Sequence, residues 1–310
     1  MSTPASGAMG PFQAQVAYRQ AILEAHLLFL ERTYLEPWRA AGQVPAAAAD
    51  AWLRGLIVET RPTPLLRAVV ANTLVLAPAG TAVSLVTQAS VLPAMEQLLE
   101  PWLPWLELLP LVPEGPFAIE TYNQLLSSPD LWRRWRESHL LVFQCDGVML
   151  RPLSAEEPWR QLGYVGAPWF RGERWSVLPR FNRQGECLGQ RRCSVLYGQG
   201  LPPALRFGNG GFSLRARTLM LDLSERFVRE PQEPEDVFFS RHLAEGSWPL
   251  ATLEQAAAFA TETLFHPDPV GMHCSWAYLE DGQQAQLQAA HQRLVAGLCS
   301  SPEAESRARV

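Results

Sequence analysis

The sequence predicts an α/β fold: a mixed, mainly parallel sheet flanked by helices, with helical additions at both ends. Three observations carry this expectation. Between residues 54 and 143, four short apolar runs alternate with helix-length segments, the pattern of parallel strands joined by crossover helices. The fourth run, Leu140 to Phe143, is followed within three residues by an acid, Asp146. A glycine-rich loop, Gly208-Asn209-Gly210-Gly211, leads directly into the β-like string Phe212-Ser213-Leu214-Arg215.

The elements follow in order. Residues 1–50 read as a flexible start and a helical extension. From Gln13 to Ala40, the residues Ala17, Ile22, Leu23, Leu27, Leu30 and Leu35 recur at helical spacing. That face would pack on the main domain or on a second copy, giving a homodimer. The Ala-rich stretch Pro45 to Ala49 reads as a linker into a short helix. The main domain spans residues 51–280. Leu56 to Glu59 is its first strand, and Thr63-Pro64 opens a helix to about Leu76, with Thr as N-cap and Pro in the first turn. Val83 to Val86 is a strand, Val91 to Leu99 a helix, and Leu106 to Leu111 a third strand. Ile119 to Leu126 and Pro129 to Trp135 are helical. Residues 147–215 hold short β-like runs among Gly, Pro, Trp and Arg. Helices return at Thr218 to Phe227 and Leu253 to Thr263. Residues 281–310 supply a last helix, Gln283 to Leu298, and a polar tail.

Bulk properties narrow the functional classes. The chain of 310 residues is 47% hydrophobic and 18% charged, a globular composition. Its net charge of -5 provides no basic footprint for nucleic acid. Five cysteines without a Cys-x-x-Cys pair disfavour structural zinc or a disulfide framework, although Cys187 and Cys193 could pair across a hairpin. The N-terminus lacks the charge and apolar core of a signal peptide, and no apolar stretch reaches membrane-spanning length. These features point to a cytoplasmic protein with no transmembrane segment. Gly-x-Ser-x-Gly, P-loop and His-Glu-x-x-His motifs do not occur.

Several residues could carry chemistry, each with a plainer alternative. Asp146 at a strand end could ligate Mg²⁺ or Mn²⁺, with Gln144 on the same side, or could simply close a turn. Trp169, after Gly166-Ala167-Pro168, could stack on a sugar or base or fill the core. Asn209 can donate to and accept from sugar hydroxyls, while Gly210 and Gly211 could turn backbone N–H groups toward anionic oxygens. Arg215 could balance diphosphate charge or sit solvated at a strand end. Asp236, with Glu235 as the alternative, could serve as general base or merely stabilise a helix start. His273 could complete the metal shell begun by Asp146, since imidazole suits Mn²⁺, or be structural.

Five strings occur in fixed order: Phe143-Gln144-Cys145-Asp146, Tyr164 to Trp169, Gly208 to Arg215, Glu235 to Phe239, and Gly271 to His273. Together they resemble a family of largely uncharacterised glycosyltransferases of the GT-A fold, over roughly residues 54–280. The resemblance implies a nucleotide-diphosphate sugar donor, a divalent metal, and a hydroxyl-bearing acceptor (glycan, lipid, protein or small molecule). Asp146 then corresponds to the second acid of the Asp-x-Asp metal motif, with Gln144 in place of the first. Glu235-Asp236 resembles the acid pair of inverting enzymes, and His273 the late metal-ligand histidine. Glu59 and Arg61, after the first strand, would meet the nucleoside. A nucleotidyltransferase on a similar sheet and a non-catalytic nucleotide-sugar or glycan-binding module remain as rival readings.

Overall fold

The computed structural model of the chain describes residues 11–154, 156–169, 177–181, 187–192 and 208–300. The first ten residues of the expected flexible start, the tail beyond Ser300 and the Cys187–Cys193 pairing lie outside what is described. Eleven strands are described: β1 Leu53–Val58, β2 Ala82–Val86, β3 Leu106–Leu109, β4 His139–Phe143, β5 Gly147–Met149, β6 Tyr164–Gly166, β7 Val177–Phe181, β8 Cys187–Arg192, β9 Phe212–Ala216, β10 Ala260–Thr261 and β11 Gly271–His273.

The central sheet has the order β3-β2-β1-β4-β9-β6. β1 pairs in parallel with β2 and β4, and β2 with β3, while β9 runs antiparallel to both β4 and β6. The expected mixed, mainly parallel sheet is therefore present. β4 and β9 are buried along their whole length, and β1 at all but Arg54. That explains why β1 and β4 read as apolar runs rather than alternating ones: both faces are covered, whereas β9 also buries the polar Ser213 and Arg215. β3, at the edge, keeps Glu107 exposed.

Helix α1, Pro11–Leu30, continues through one wider π-helical turn, Glu31–Leu35, into α2, Glu36–Ala40. Leu23, Leu27, Leu30 and Leu35 are buried, so this stripe packs within the chain. α3, Pro64–Leu76, starts as expected, with the Thr63 hydroxyl accepting from the Leu66 N–H at 3.4 Å. The stretch Pro45 to Ala49 leads into β1 without an intervening helix. α4 is Leu92–Leu99, α5 Ile119–Leu126 and α6 Pro129–Trp132. α7, Arg217–Arg226, and α8, Glu235–His242, follow β9. α9, Leu253–Phe259, stops four residues earlier than expected, because the chain becomes extended at β10. α10, Asp281–Ser300, closes the described chain. Among the described residues, no helix is long and apolar enough to cross a membrane.

Buried polar contacts lock the end helices onto the sheet. Glu31, 2% exposed, accepts from Arg67 of α3 at 2.7 and 3.1 Å. Asn72 of α3 accepts from the Met149 N–H at 3.1 Å, which leaves its amide NH₂ to donate to His291 Nε2 at 2.9 Å. His291 Nδ1 then meets His26 Nε2 at 3.3 Å. Burial lowers both rings, His26 to about 4 and His291 to about 3, so both are neutral near pH 7.

Breaking one side of the Glu31–Arg67 pair should cost more than replacing both partners. Glu31→Leu alone should destabilise by about 2 kcal/mol, less than a fully buried pair because the Arg67 side chain keeps 28% exposure. Adding Arg67→Met should restore most of that loss. Urea unfolding of the three proteins checks the difference.

Candidate active site

The site lies at the carboxyl ends of β1 and β4, where open α/β sheets bind ligands. Asp146 sits in the turn between β4 of the central sheet and β5 of a second sheet, β10-β11-β5. β11 runs antiparallel to β5, in a register that places His273 opposite Gly147. This brings together two residues more than a hundred positions apart. His273 Nε2 lies 3.4 Å from Asp146 Oδ1. The next residue, Cys274, is in the left-handed region at φ 46, and its N–H donates to the Asp146 carbonyl at 3.1 Å. That conformation is unfavourable for a residue with a side chain, so the contacts around the turn must hold it.

The other imidazole nitrogen of His273, Nδ1, lies 3.2 Å from Glu262 Oε1, and the same oxygen accepts from Asn209 Nδ2 at 3.0 Å. Asn209 Oδ1 accepts from the Gly211 N–H at 3.0 Å. Burial works against a charged His273, but Asp146 and Glu262 outweigh it and push the imidazole up to about 10. Burial likewise opposes the Asp146 carboxylate, and His273 more than compensates, holding it below its usual range. Glu262 was missed by sequence reading because Leu253 to Thr263 reads as one helix. The β-branched Thr261 and Thr263 flanking it are the signal for extended chain at that point.

The glycine loop works differently from expectation. Gly208, Gly210 and Gly211 are absent from the positive-φ residues. They are needed for closeness: a Cβ at Gly211 would overlap the His273 ring, one at Gly210 the Glu235 carboxylate, and one at Gly208 the Ser240 hydroxyl. The N–H groups of Gly210 and Gly211 do not wait for a ligand. Gly210 donates to Asp236 Oδ2 at 3.0 Å, and Gly211 donates to Asn209.

Arg215 is also placed differently. It is fully buried and donates to Glu235 through Nη1 at 2.6 Å and Nη2 at 2.9 Å. The rings of Trp132, Tyr164 and Phe239 surround the guanidinium. Arg215 therefore lies beneath the cavity and cannot meet a diphosphate there. Its partner Glu235 is 2% exposed and holds both carboxylate oxygens on Arg215, whereas the half-buried Asp236 accepts only from backbone N–H groups, of Gly210 and Val237; both acids line the cavity. Burial, and then the charge of Glu235, push Asp236 up to about 7 against the opposing Gly210 N–H and Arg215.

The cavity has two lobes that share Ile119, Tyr122 and Gln144. The first, about 410 Å³, is lined by Glu59, Arg61, Cys145 and Asp146, and also by Gln20 and Glu24 of α1. Glu59 accepts from both Arg61 Nε and Nη2, at 2.9 and 2.8 Å, so it fixes the exposed Arg61 at the rim. The second lobe, about 580 Å³, is lined by Trp169, Asn209, Asp236, Glu262 and His273.

Two octahedral ligands at about 2.0–2.2 Å from one ion lie about 3 Å apart, so the Asp146–His273 geometry is compatible with Mg²⁺ or Mn²⁺. Glu262 on the far imidazole nitrogen is the orienting partner that metal-binding histidines use. Among the described residues, no three His, Cys, Asp or Glu side chains converge as a metal-holding group. Further ligands would have to come from phosphate and water.

Gly211→Ala should push the His273 ring off Asp146. We expect a stability loss of about 1–3 kcal/mol from overpacking, read by urea unfolding. The imidazole should also titrate closer to its ordinary range than about 10, read by histidine NMR.

Comparisons with known proteins complete the description. No curated protein matches the chain. Among solved structures, a 4-diphosphocytidyl-2C-methyl-D-erythritol synthase from Anaerococcus prevotii is similar at 8% identity and TM-score 0.39, covering 79% of this chain and 96% of that one. The apo glycosyltransferase GlyE of Streptococcus pneumoniae is similar at 11% identity and TM-score 0.39, covering 80% and 63%. A mannosyltransferase from Pyrobaculum calidifontis, solved with GDP-Man and Mn²⁺, is similar at 14% identity and TM-score 0.41, covering 96% and 85%. A family model, described as protein of unknown function (DUF5672), matches residues 111–273. That match takes in more than half of the 310 residues, from just after β3 to His273, and the chain belongs to this family.

Proposed function

We propose that the protein is a GT-A-like glycosyltransferase that moves a sugar from a nucleotide-diphosphate donor to an acceptor hydroxyl with inversion. One observation carries this reading. A two-lobed cavity has Asp146 in the wall of its first lobe, with His273 beside it and a carboxylate poised near neutrality, Asp236, in the wall of its second.

In this reading the nucleoside occupies the first lobe, between the end of β1 and the Gln20 and Glu24 face of α1. The sugar and acceptor occupy the second, where Trp169 offers an apolar ring and Asn209 and Glu262 polar groups. Asp146 and His273 would hold Mn²⁺ or Mg²⁺, which neutralises charge on the leaving diphosphate. The acceptor oxygen attacks the anomeric carbon from the face opposite the diphosphate. The bond from that carbon to the diphosphate oxygen breaks, and Asp236 takes the acceptor proton. Burial, and then the negative charge of Glu235, keep Asp236 basic, and Glu235 does not act itself.

A base near pKa 7 must be deprotonated to work, so kcat/KM should rise with pH and level off above about 7. Asp236→Asn should remove this limb and lower kcat by about 10²–10⁴-fold, with donor affinity nearly unchanged. Steady-state kinetics across pH, with calorimetry for the donor, check both effects.

Asp146→Asn and His273→Ala should instead weaken Mn²⁺-dependent donor binding. The test is a thermal-shift panel of UDP-, GDP-, ADP- and dTDP-sugars with and without Mn²⁺, since a ligand of the folded state raises apparent stability. Release of a nucleoside diphosphate from the stabilising donor supports the transferase. Release of pyrophosphate from a nucleoside triphosphate would replace it with a nucleotidyltransferase. Binding without turnover would leave a binding module.

A further inference from the structure

Tyr122 is the group that the site described so far does not use. It lies on α5, is 5% exposed, and lines both lobes of the cavity. Its hydroxyl makes no well-formed hydrogen bond among the described residues, although the Gln144 amide is close enough to interact with it. Leaving a buried hydroxyl unpaired costs about 1–3 kcal/mol, and phenylalanine would fill the same space without that cost. The position is also held firmly. The next residue, Asn123, accepts from the Glu235 N–H at 3.2 Å, which ties α5 to the start of α8.

We infer that Tyr122 is a further catalytic residue, donating a hydrogen bond from its hydroxyl to the diphosphate oxygen that leaves the sugar. The inference rests on the transferase reading above. If the nucleoside fills the first lobe and the sugar the second, the sugar–diphosphate bond must cross the junction, and Tyr122 and Gln144 are the polar side chains shared by the two walls. As that bond breaks, its electron pair passes to the diphosphate oxygen, where negative charge grows. A donor aimed at this oxygen stabilises the transition state more than the bound donor. Burial, and then the charge of Glu235, hold the phenol far above its ordinary value, so it stays protonated throughout. Tyr122 keeps its proton, and the acceptor proton goes to Asp236. The missing hydrogen bond in the unliganded protein is thereby explained.

The test is Tyr122→Phe in the full-length protein, with Mn²⁺ and whichever UDP-, GDP-, ADP- or dTDP-sugar the wild type turns over. The readout is nucleoside diphosphate release. We expect thermal stability unchanged or raised, donor affinity by calorimetry nearly unchanged, and kcat reduced by about tenfold to a hundredfold, the worth of a hydrogen bond to a charged group. Undiminished kcat would overturn the inference. So would a clear loss of stability, which would mean that the hydroxyl serves the fold, or a loss of donor affinity equal to the loss in kcat/KM, which would mean ground-state binding. A wild type that releases no nucleoside diphosphate from any of the four donors would overturn the transferase reading, and this inference with it.

Discussion

The ion pair between Arg215 and Glu235 is the contact on which the site is built. Both side chains are essentially excluded from solvent, at 0% and 2% exposure. Taking two charges out of water is costly, and removing one partner from such a pair typically costs about 3–5 kcal/mol. What the pair provides here is position. Arg215 belongs to β9 and Glu235 opens α8, so the pair fastens that helix to the sheet. Arg215 Nε also donates to the Ser213 hydroxyl at 2.9 Å, and Nη2 to the Gly210 carbonyl at 3.4 Å. One guanidinium thus orders the strand, the glycine loop and the helix that presents Asp236. Burial of Asp236, and then the negative charge of Glu235 fixed beside it, raise the second acid into the range useful for proton transfer.

The second constraint is steric. His273 reaches Asp146 only because β11 pairs with β5 in one register and because Gly211 has no side chain. The chain Asp146–His273–Glu262–Asn209–Gly211 then runs through contacts of 3.0–3.4 Å. The glycine loop is tightly packed, with the Gly210 and Gly211 N–H groups engaged by side chains around it, and Asn209, Gly210 and Gly211 line the second lobe.

The end helices are part of the same construction. α1 is held by Glu31–Arg67 and by the neutral chain His26–His291–Asn72, and Arg19 donates to the carbonyls of Trp276 and Leu279. Those contacts place Gln20 and Glu24 in the wall of the first lobe. α1 lies outside the stretch matched by the family model, which covers residues 111–273, so this wall is formed by chain that the family match does not include.

Local physics made most of the elements legible. The runs at β1, β2 and β4 were legible because strands covered on both faces take mostly apolar side chains, and β3, at the edge, admits Glu107. The Thr63-Pro64 cap started α3 where its chemistry says a helix starts. Asp146, Asn209, Asp236 and His273 were visible as candidates because of where they stand: after a strand, inside a glycine-rich loop, at a helix start and beside a late glycine. Their partners were not visible. Glu262 was hidden by a helical pattern that the β10–β11 pairing cut short at Phe259, and Tyr122 looked like any apolar position on α5. Whether Arg215 faces a ligand or Glu235, which of two adjacent acids is tied up by Arg215, and which neighbours crowd the glycines depend on contacts between segments far apart in sequence. The sequence by itself determined the periodicity, the caps and the chemical types available. Only the tertiary structure decided which charges were buried together and which were left facing the cavity, because desolvation and steric fit exist only once the segments have met.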